Sequence, residues 1–142
     1  RTIYSLLHGL GNYDVDVRLI SPESLKIRSD SVYDIKKKLD FTESDNIEEH
    51  IDELDVLYVT RIQKERFPDE EEYLKVKGSY VVGLDLLKQM KSDSIILHPL
   101  PRIDEISPDV DKTKNAKYFE QAEYGKYTRA ALLGLILNEN GF

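Results

Sequence analysis

Two uninterrupted apolar runs constrain this chain more than anything else in it: VLYVT at residues 56–60 and SIILHP at residues 94–99. A strand with one wet face alternates apolar and polar residues. A strand without that alternation is expected where both faces of a parallel sheet are covered. Between and around these runs the apolar spacing changes to the helical period. Ile3, Leu6, Leu7 and Leu10 mark a first helix, with Gly11 and Asn12 as its stop. VDVRLIS alternates as a strand. SPESL follows as a strand-to-helix turn, with Ser21 placed to cap and Pro22 preset for a first turn. Val32, Ile35 and Leu39 predict a helix over 31–39, and a short strand over 39–42 follows. Ile47, Ile51 and Leu54 predict another amphipathic helix. DEEEYLKVK reads as a short acidic helix whose first turn favours negative charge, and LDLLKQM reads as a further helix. The last segment, from Tyr118, ends in a helix that is apolar almost all round from Leu132 to Leu137 and needs cover on most sides. Strands alternating with helices give an α/β three-layer sandwich with a mostly parallel sheet, and 142 residues suffice for one such domain.

Composition narrows the chemistry. Lys and Arg number 20 against 27 Asp and Glu, a formal charge of −7, which disfavours a general nucleic-acid surface. The sequence has no apolar run of ~18 residues, so it predicts no membrane span. Zero cysteines exclude a disulfide, a thiolate metal site and a Cys nucleophile, and fit a reducing cytoplasm. The spacing of His, Asp and Glu resembles no metal site, and neither a glycine-rich phosphate loop nor a serine nucleophile elbow appears. No metal and no cofactor is therefore expected.

In an open parallel sheet, ligands sit beyond the carboxyl ends of the strands. Two such ends carry unusual residues. After VLYVT comes TRIQKER, where Arg61 and Gln63 share a side if the chain stays extended. Arg61 and Glu65 are instead four apart if it coils, and Glu65 then holds the guanidinium in one rotamer. The competing reading is a solvated turn whose charges pair with each other. After SIIL comes HPLPR, residues 98–102. Its two prolines fix the backbone and remove two N–H donors, leaving carbonyls free to accept from a ligand, and an X-Pro bond here can be cis. His98 is placed as an acid or base, although a lone His at a strand end is more often structural. His8 and His50 show no partner pattern. Taken alone, these residues define an α/β domain with an anion-binding strand end.

Taken together and in order, RTIYSLLHGL, YVTRIQKERF, HPLPRIDEISPDVDKT and AKYFEQAEYGKYTRAALLGLIL resemble the aspartate-binding half of the aspartate carbamoyltransferase family's catalytic chains. The likeness covers nearly the whole chain. The resemblance implies a Rossmann-like domain, residues 1–142, forming one half of a two-domain fold. The carbamoyl-phosphate-binding domain and the preceding central strand lie outside these residues. It implies transfer of a carbamoyl group from carbamoyl phosphate to L-aspartate in pyrimidine synthesis, in a cytoplasmic homotrimer that sometimes carries regulatory chains. Arg1 and Arg61, with Gln63 beside the latter, would bind the aspartate carboxylates. Pro99, Leu100 and Pro101 would contact the carbamoyl group of carbamoyl phosphate, with the Leu100–Pro101 bond cis. Glu65 and Glu105 would brace the site. Ornithine-specific relatives usually place a cysteine where this chain has Pro99, which favours aspartate. A non-catalytic interaction module of the same fold and transfer to another amine are the alternatives.

Overall fold

The computed structural model describes residues 2–64 and 67–138. The chain gathers into two compact units, Arg1–Glu49 and His50–Phe142.

In the first unit, helix α1 (Thr2–Leu10) is followed by strand β1 (Val17–Ile20), helix α2 (Ser29–Lys36) and strand β2 (Phe41–Ser44). The strands pair in parallel, Val17 opposite Phe41 and Ile20 opposite Ser44, as the α2 crossover between them requires. The helical spacing read from the sequence is the spacing that is buried. Leu7, Ile35, Leu39 and Phe41 form the core, and Ile3, Leu10 and Val32 pack against it. Several boundaries differ from expectation for visible reasons. Leu39 donates its N–H to the Ile35 carbonyl at 3.0 Å, so helical bonding continues to Leu39 and the strand starts at Phe41, two residues later than the alternation predicts. Ser21 does not cap. Its amide extends the strand ladder to the Ser44 carbonyl at 3.1 Å, and Pro22 leads into a single 3₁₀ turn over Glu23–Leu25. Gly11 is not in the left-handed conformation of a helix cap. A Cβ there would meet the Lys38 Cβ at 2.9 Å, so the glycine serves the close approach of the α1 and α2 ends.

The expected helix through Ile47, Ile51 and Leu54 is a run of turns instead. Polar side chains draw the backbone into shorter loops there. The Asn46 Oδ1 accepts from the Glu48 N–H at 3.0 Å, and the Asn46 N–H donates to the Ser44 Oγ at 3.1 Å. Further along, Glu53 donates to His50 three residues back. Ile51 is nonetheless buried, so the periodicity located an inward residue while mistaking the local geometry.

The second unit holds β3 (Val56–Tyr58), α3 (Glu70–Val76), α4 (Leu84–Leu87), β4 (Ile95–Leu97), a 3₁₀ turn over Pro108–Lys112 and the long helix α5 (Tyr118–Leu137). Strands β3 and β4 are parallel, with Leu57 opposite Ile96. On the other edge of β4, Ile96 donates to the Asn115 carbonyl and accepts from the Lys117 N–H. Strand β4 is thus bonded on both sides, and Ile96 is fully buried. Burial on both faces holds less well for β3, where Leu57 is buried but Val56 is exposed. The acidic segment forms α3 as expected, with the Asp69 carboxylate accepting the Glu72 N–H at 2.8 Å as an N-cap. Helix α5 buries Tyr118 at its start, whereas Leu132, Leu133, Leu135, Ile136 and Leu137 are all more than half exposed. The cover that the sequence demands for this end does not come from the described residues.

Candidate functional site

Strands β3 and β4 run side by side in the same direction, so the segments that leave their carboxyl ends start together. Tyr58 sits opposite Leu97, and the Val59 N–H still donates to the Leu97 carbonyl at 2.9 Å. From that point one chain continues through Thr60, Arg61 and Gln63, and the other through His98, Pro99, Leu100 and Pro101. The two strand ends singled out in the sequence are therefore one place in the fold. A recess opens there, lined among others by Val59, Thr60, Ile62, Tyr73, Asp104 and Glu105.

Arg61 and Gln63 are half-buried, and each is engaged with a neighbouring group. Lys64 is committed elsewhere. Its Nζ pairs with a carboxylate oxygen of Glu70 at the start of α3. That hydrogen bond raises the ammonium's pKa and lowers the carboxyl's. The Lys64 charge of the TRIQKER segment is thus met by α3 rather than by a charge within the segment. Arg1 and Glu65, expected as a carboxylate ligand and as the brace on Arg61, lie outside the described residues.

The HPLPR loop is held from several sides. The Leu100–Pro101 bond is cis, as the resemblance implied, and Leu100 has a φ of 51°, in the left-handed region that bulky side chains enter only when their surroundings compel it. His98 is 1 % exposed and supplies much of the compulsion. Its Nδ1 accepts the Leu100 N–H at 2.8 Å, and its Nε2 lies 2.7 Å from the Glu105 Oε1. Its own N–H donates to the Gln121 Oε1 of α5 at 2.9 Å. Glu105, expected to brace the site, is buried and directed at this loop. Its Oε2 accepts the N–H groups of Ile103 and Asp104 at 3.1 and 3.2 Å. Burial pushes the carboxyl up, but its own backbone N–H, that of Ile103 and His98 outweigh it and hold its pKa below the ordinary value of 4.5.

A second anchor was not legible in advance. The Arg102 guanidinium forks onto the Asp111 carboxylate, with Nη2 donating to Oδ2 at 2.6 Å and Nη1 to Oδ1. The Tyr118 hydroxyl donates to the same Oδ1 and accepts from Nη1 at 3.2 Å. This ties the proline loop, the 3₁₀ turn and the first residue of α5 into one charge-assisted network. The residues stand 9 and 16 positions apart from Arg102, a separation that no local periodicity reveals. Arg102 holds the Asp111 carboxyl below its usual range. Burial, with the Asp111 bond, pushes the Tyr118 phenol up to about 12. A raised phenol contributes its full stability below the ordinary value of 10.0 and loses it as pH climbs towards the folded value. Burial raises the Tyr58 phenol as well, so an ultraviolet titration is expected to show a late-titrating fraction midway between those values that Tyr118→Phe reduces by one phenol. A titration curve unchanged by the substitution would contradict the assignment.

Fold and site together define a class: an α/β domain that gathers a cationic loop and a rigid, carbonyl-bearing proline turn at one end of a parallel strand pair. Sequence comparison gives that class its family. The chain belongs to the aspartate/ornithine carbamoyltransferase family, and residues 1–136 match the model of its Asp/Orn binding domain. It is 92 % identical over 142 residues to the aspartate carbamoyltransferase catalytic subunit of Nitrosopumilus maritimus, covering 100 % of this chain and 46 % of that protein. The corresponding subunit of Thermococcus kodakarensis is 54 % identical, with 99 % and 46 % covered. The chain thus spans about half the length of the curated relatives it matches. Among solved structures, the catalytic subunit of M. jannaschii aspartate transcarbamoylase superposes with a TM-score of 0.86 at 45 % identity, over 100 % of this chain and 47 % of that one. The Trypanosoma cruzi enzyme, solved with carbamoyl phosphate and aspartate, gives 0.85 at 31 % identity, over 94 % and 45 %.

Proposed function

We propose that this chain supplies the amino-acid site of an aspartate carbamoyltransferase: the carbamoyl group of carbamoyl phosphate passes to the amino group of L-aspartate, giving N-carbamoyl-L-aspartate and phosphate. The observation that supports the reading is the parallel pairing of β3 and β4, from whose carboxyl ends the Arg61 segment and the HPLPR turn, with its left-handed Leu100, both leave. The names of the closely similar relatives point to the same acceptor, as does Pro99 in the position where ornithine-specific relatives carry a cysteine.

Each residue has a role set by its chemistry. Aspartate presents two carboxylates, and a planar guanidinium meets a carboxylate with two parallel hydrogen bonds. Arg61, with Gln63 adding amide donors, takes one carboxylate and Arg1 the other. A carbamoyl NH₂ offers only donors, so it needs acceptors. The carbonyls around Pro99, Leu100 and Pro101 supply them, because neighbouring prolines bring no competing N–H. Held so, the aspartate nitrogen attacks the carbamoyl carbon. A C–N bond forms, the tetrahedral intermediate expels phosphate with its C–O electron pair, and the departing phosphate takes up the proton that the nitrogen gives up. Positioning and electrostatic preorganisation carry the acceleration. The phosphate is bound by a second domain outside this chain, in a cytoplasmic homotrimer, and this segment alone is inactive. Carbamoyl transfer by the full-length protein, measured with L-aspartate and with L-ornithine, tests the reading. Turnover with aspartate is expected, and turnover with ornithine alone would overturn it.

A further inference from the structure

We infer that His98 is a positioning residue for this reaction, one that works through the backbone of Leu100 and takes no part in proton transfer; the inference rests on the proposed carbamoyl transfer. The geometry leaves the ring one arrangement. The Leu100 N–H has a fixed hydrogen, so the Nδ1 that receives it at 2.8 Å carries no proton. The ring proton sits on Nε2 and is donated to Glu105 at 2.7 Å. Glu105 is in turn fixed by the N–H groups of Ile103 and Asp104. Both ring nitrogens are occupied and the side chain is 1 % exposed, which leaves no edge for a substrate proton. What the ring does control is the residue two positions on. Left-handed backbone is unfavourable for a leucine, and the bond from its N–H to Nδ1 is a local interaction that offsets this. The Leu100 carbonyl belongs to the turn assigned to the carbamoyl NH₂, so the ring's acceptor sets where that carbonyl points.

Two substitutions separate the ring's two bonds. His98→Asn places an oxygen near the Nδ1 position and keeps an acceptor for Leu100 while giving up Glu105. His98→Gln reaches the Nε2 position and keeps a donor to Glu105 while giving up Leu100. In the full-length protein, kcat/KM for carbamoyl transfer is expected to fall about a hundredfold in His98→Gln, the scale of a misplacement of about 1 Å. His98→Asn is expected to retain at least tenfold more activity than His98→Gln, although both lose a bond of the buried ring and melt at lower temperature than wild type. Equal loss in the two folded variants, or no loss in either, overturns the inference and leaves the transfer reaction standing. A wild type that carbamoylates no aspartate overturns the reaction and the inference together. A crystal structure of the full-length wild type needs no variant to fold. Leu100 N and His98 Nδ1 are expected within hydrogen-bonding distance there, and a ring turned away from Leu100 overturns the inference.

Discussion

Replacing Arg61 by alanine in the full-length protein is expected to lower kcat/KM for aspartate by roughly thirty- to several-thousandfold, the factor that corresponds to ~2–5 kcal/mol for a bound charge losing its partner. Arg61 follows the carboxyl end of β3, where the chain is half-buried, and a partly dry setting is where a guanidinium and a carboxylate gain most from meeting. The loss should fall mainly on the KM for aspartate, with the KM for carbamoyl phosphate changing less. Arg61→Lys keeps the charge but loses the planar fork, so its activity should lie between wild type and alanine. Lys64, three residues on, is the internal control. It is exposed and already paired with Glu70, and Lys64→Ala should change the kinetics little. Steady-state rates over a range of aspartate concentrations decide the matter. Equal activity in Arg61→Ala and wild type would remove this residue from the site.

The contrast between Arg61 and Lys64 shows how far the sequence could be read. Both lie in one donor-rich segment, and spacing alone admitted either a ligand site or a self-paired turn. The fold splits the segment. Lys64 faces the start of α3 and is neutralised there, while Arg61 lies nearer the carboxyl end of β3, which runs parallel to the strand that leads into the proline loop. Features that depend on neighbours a few residues away were legible. The inward stripe of α1 and α2, the apolar strands, the acidic start of α3 and the stiff HPLPR turn all follow from local periodicity or from proline chemistry. The run through Ile47 and Leu54 misled because its apolar period is helical while Asn46 and Ser44 offer the backbone competing partners. Gly11 misled because a glycine at a helix end is usually a cap, and the reason for this one is the Lys38 side chain from another element. The Arg102, Asp111 and Tyr118 network depends on contacts between residues 7 to 16 positions apart, and the role of His98 rests on a left-handed Leu100 that no sequence period shows. No single-sequence pattern encodes which carboxylate a given arginine will find.

That network makes the second large prediction. Asp111→Ala is expected to destabilise the protein by roughly 2–3 kcal/mol, since it removes the acceptor for the Arg102 fork and for the Tyr118 hydroxyl. The figure lies below the ~3–5 kcal/mol of a fully buried pair because water reaches these side chains: Arg102 is 19 % and Asp111 27 % exposed. Asp111→Asn should rescue little, as an amide presents N–H groups to one prong of the guanidinium. Tyr118→Phe, which loses one hydroxyl and keeps the buried ring, should cost about 1 kcal/mol. The acid limb gives a sharper test. The folded-state pKa of Asp111 lies below its ordinary value of 3.8, and that of Glu105 below 4.5. Both contributions are therefore complete above those ordinary values and are lost as pH falls through the lower folded ones. Wild type and Asp111→Ala should differ in melting temperature by a constant amount at neutral pH. Below 3.8 the gap should close, as protonation takes from the wild type what the substitution has already removed. A gap that stays constant through the acid range would mean that the Asp111 charge is not what holds the proline loop to α5.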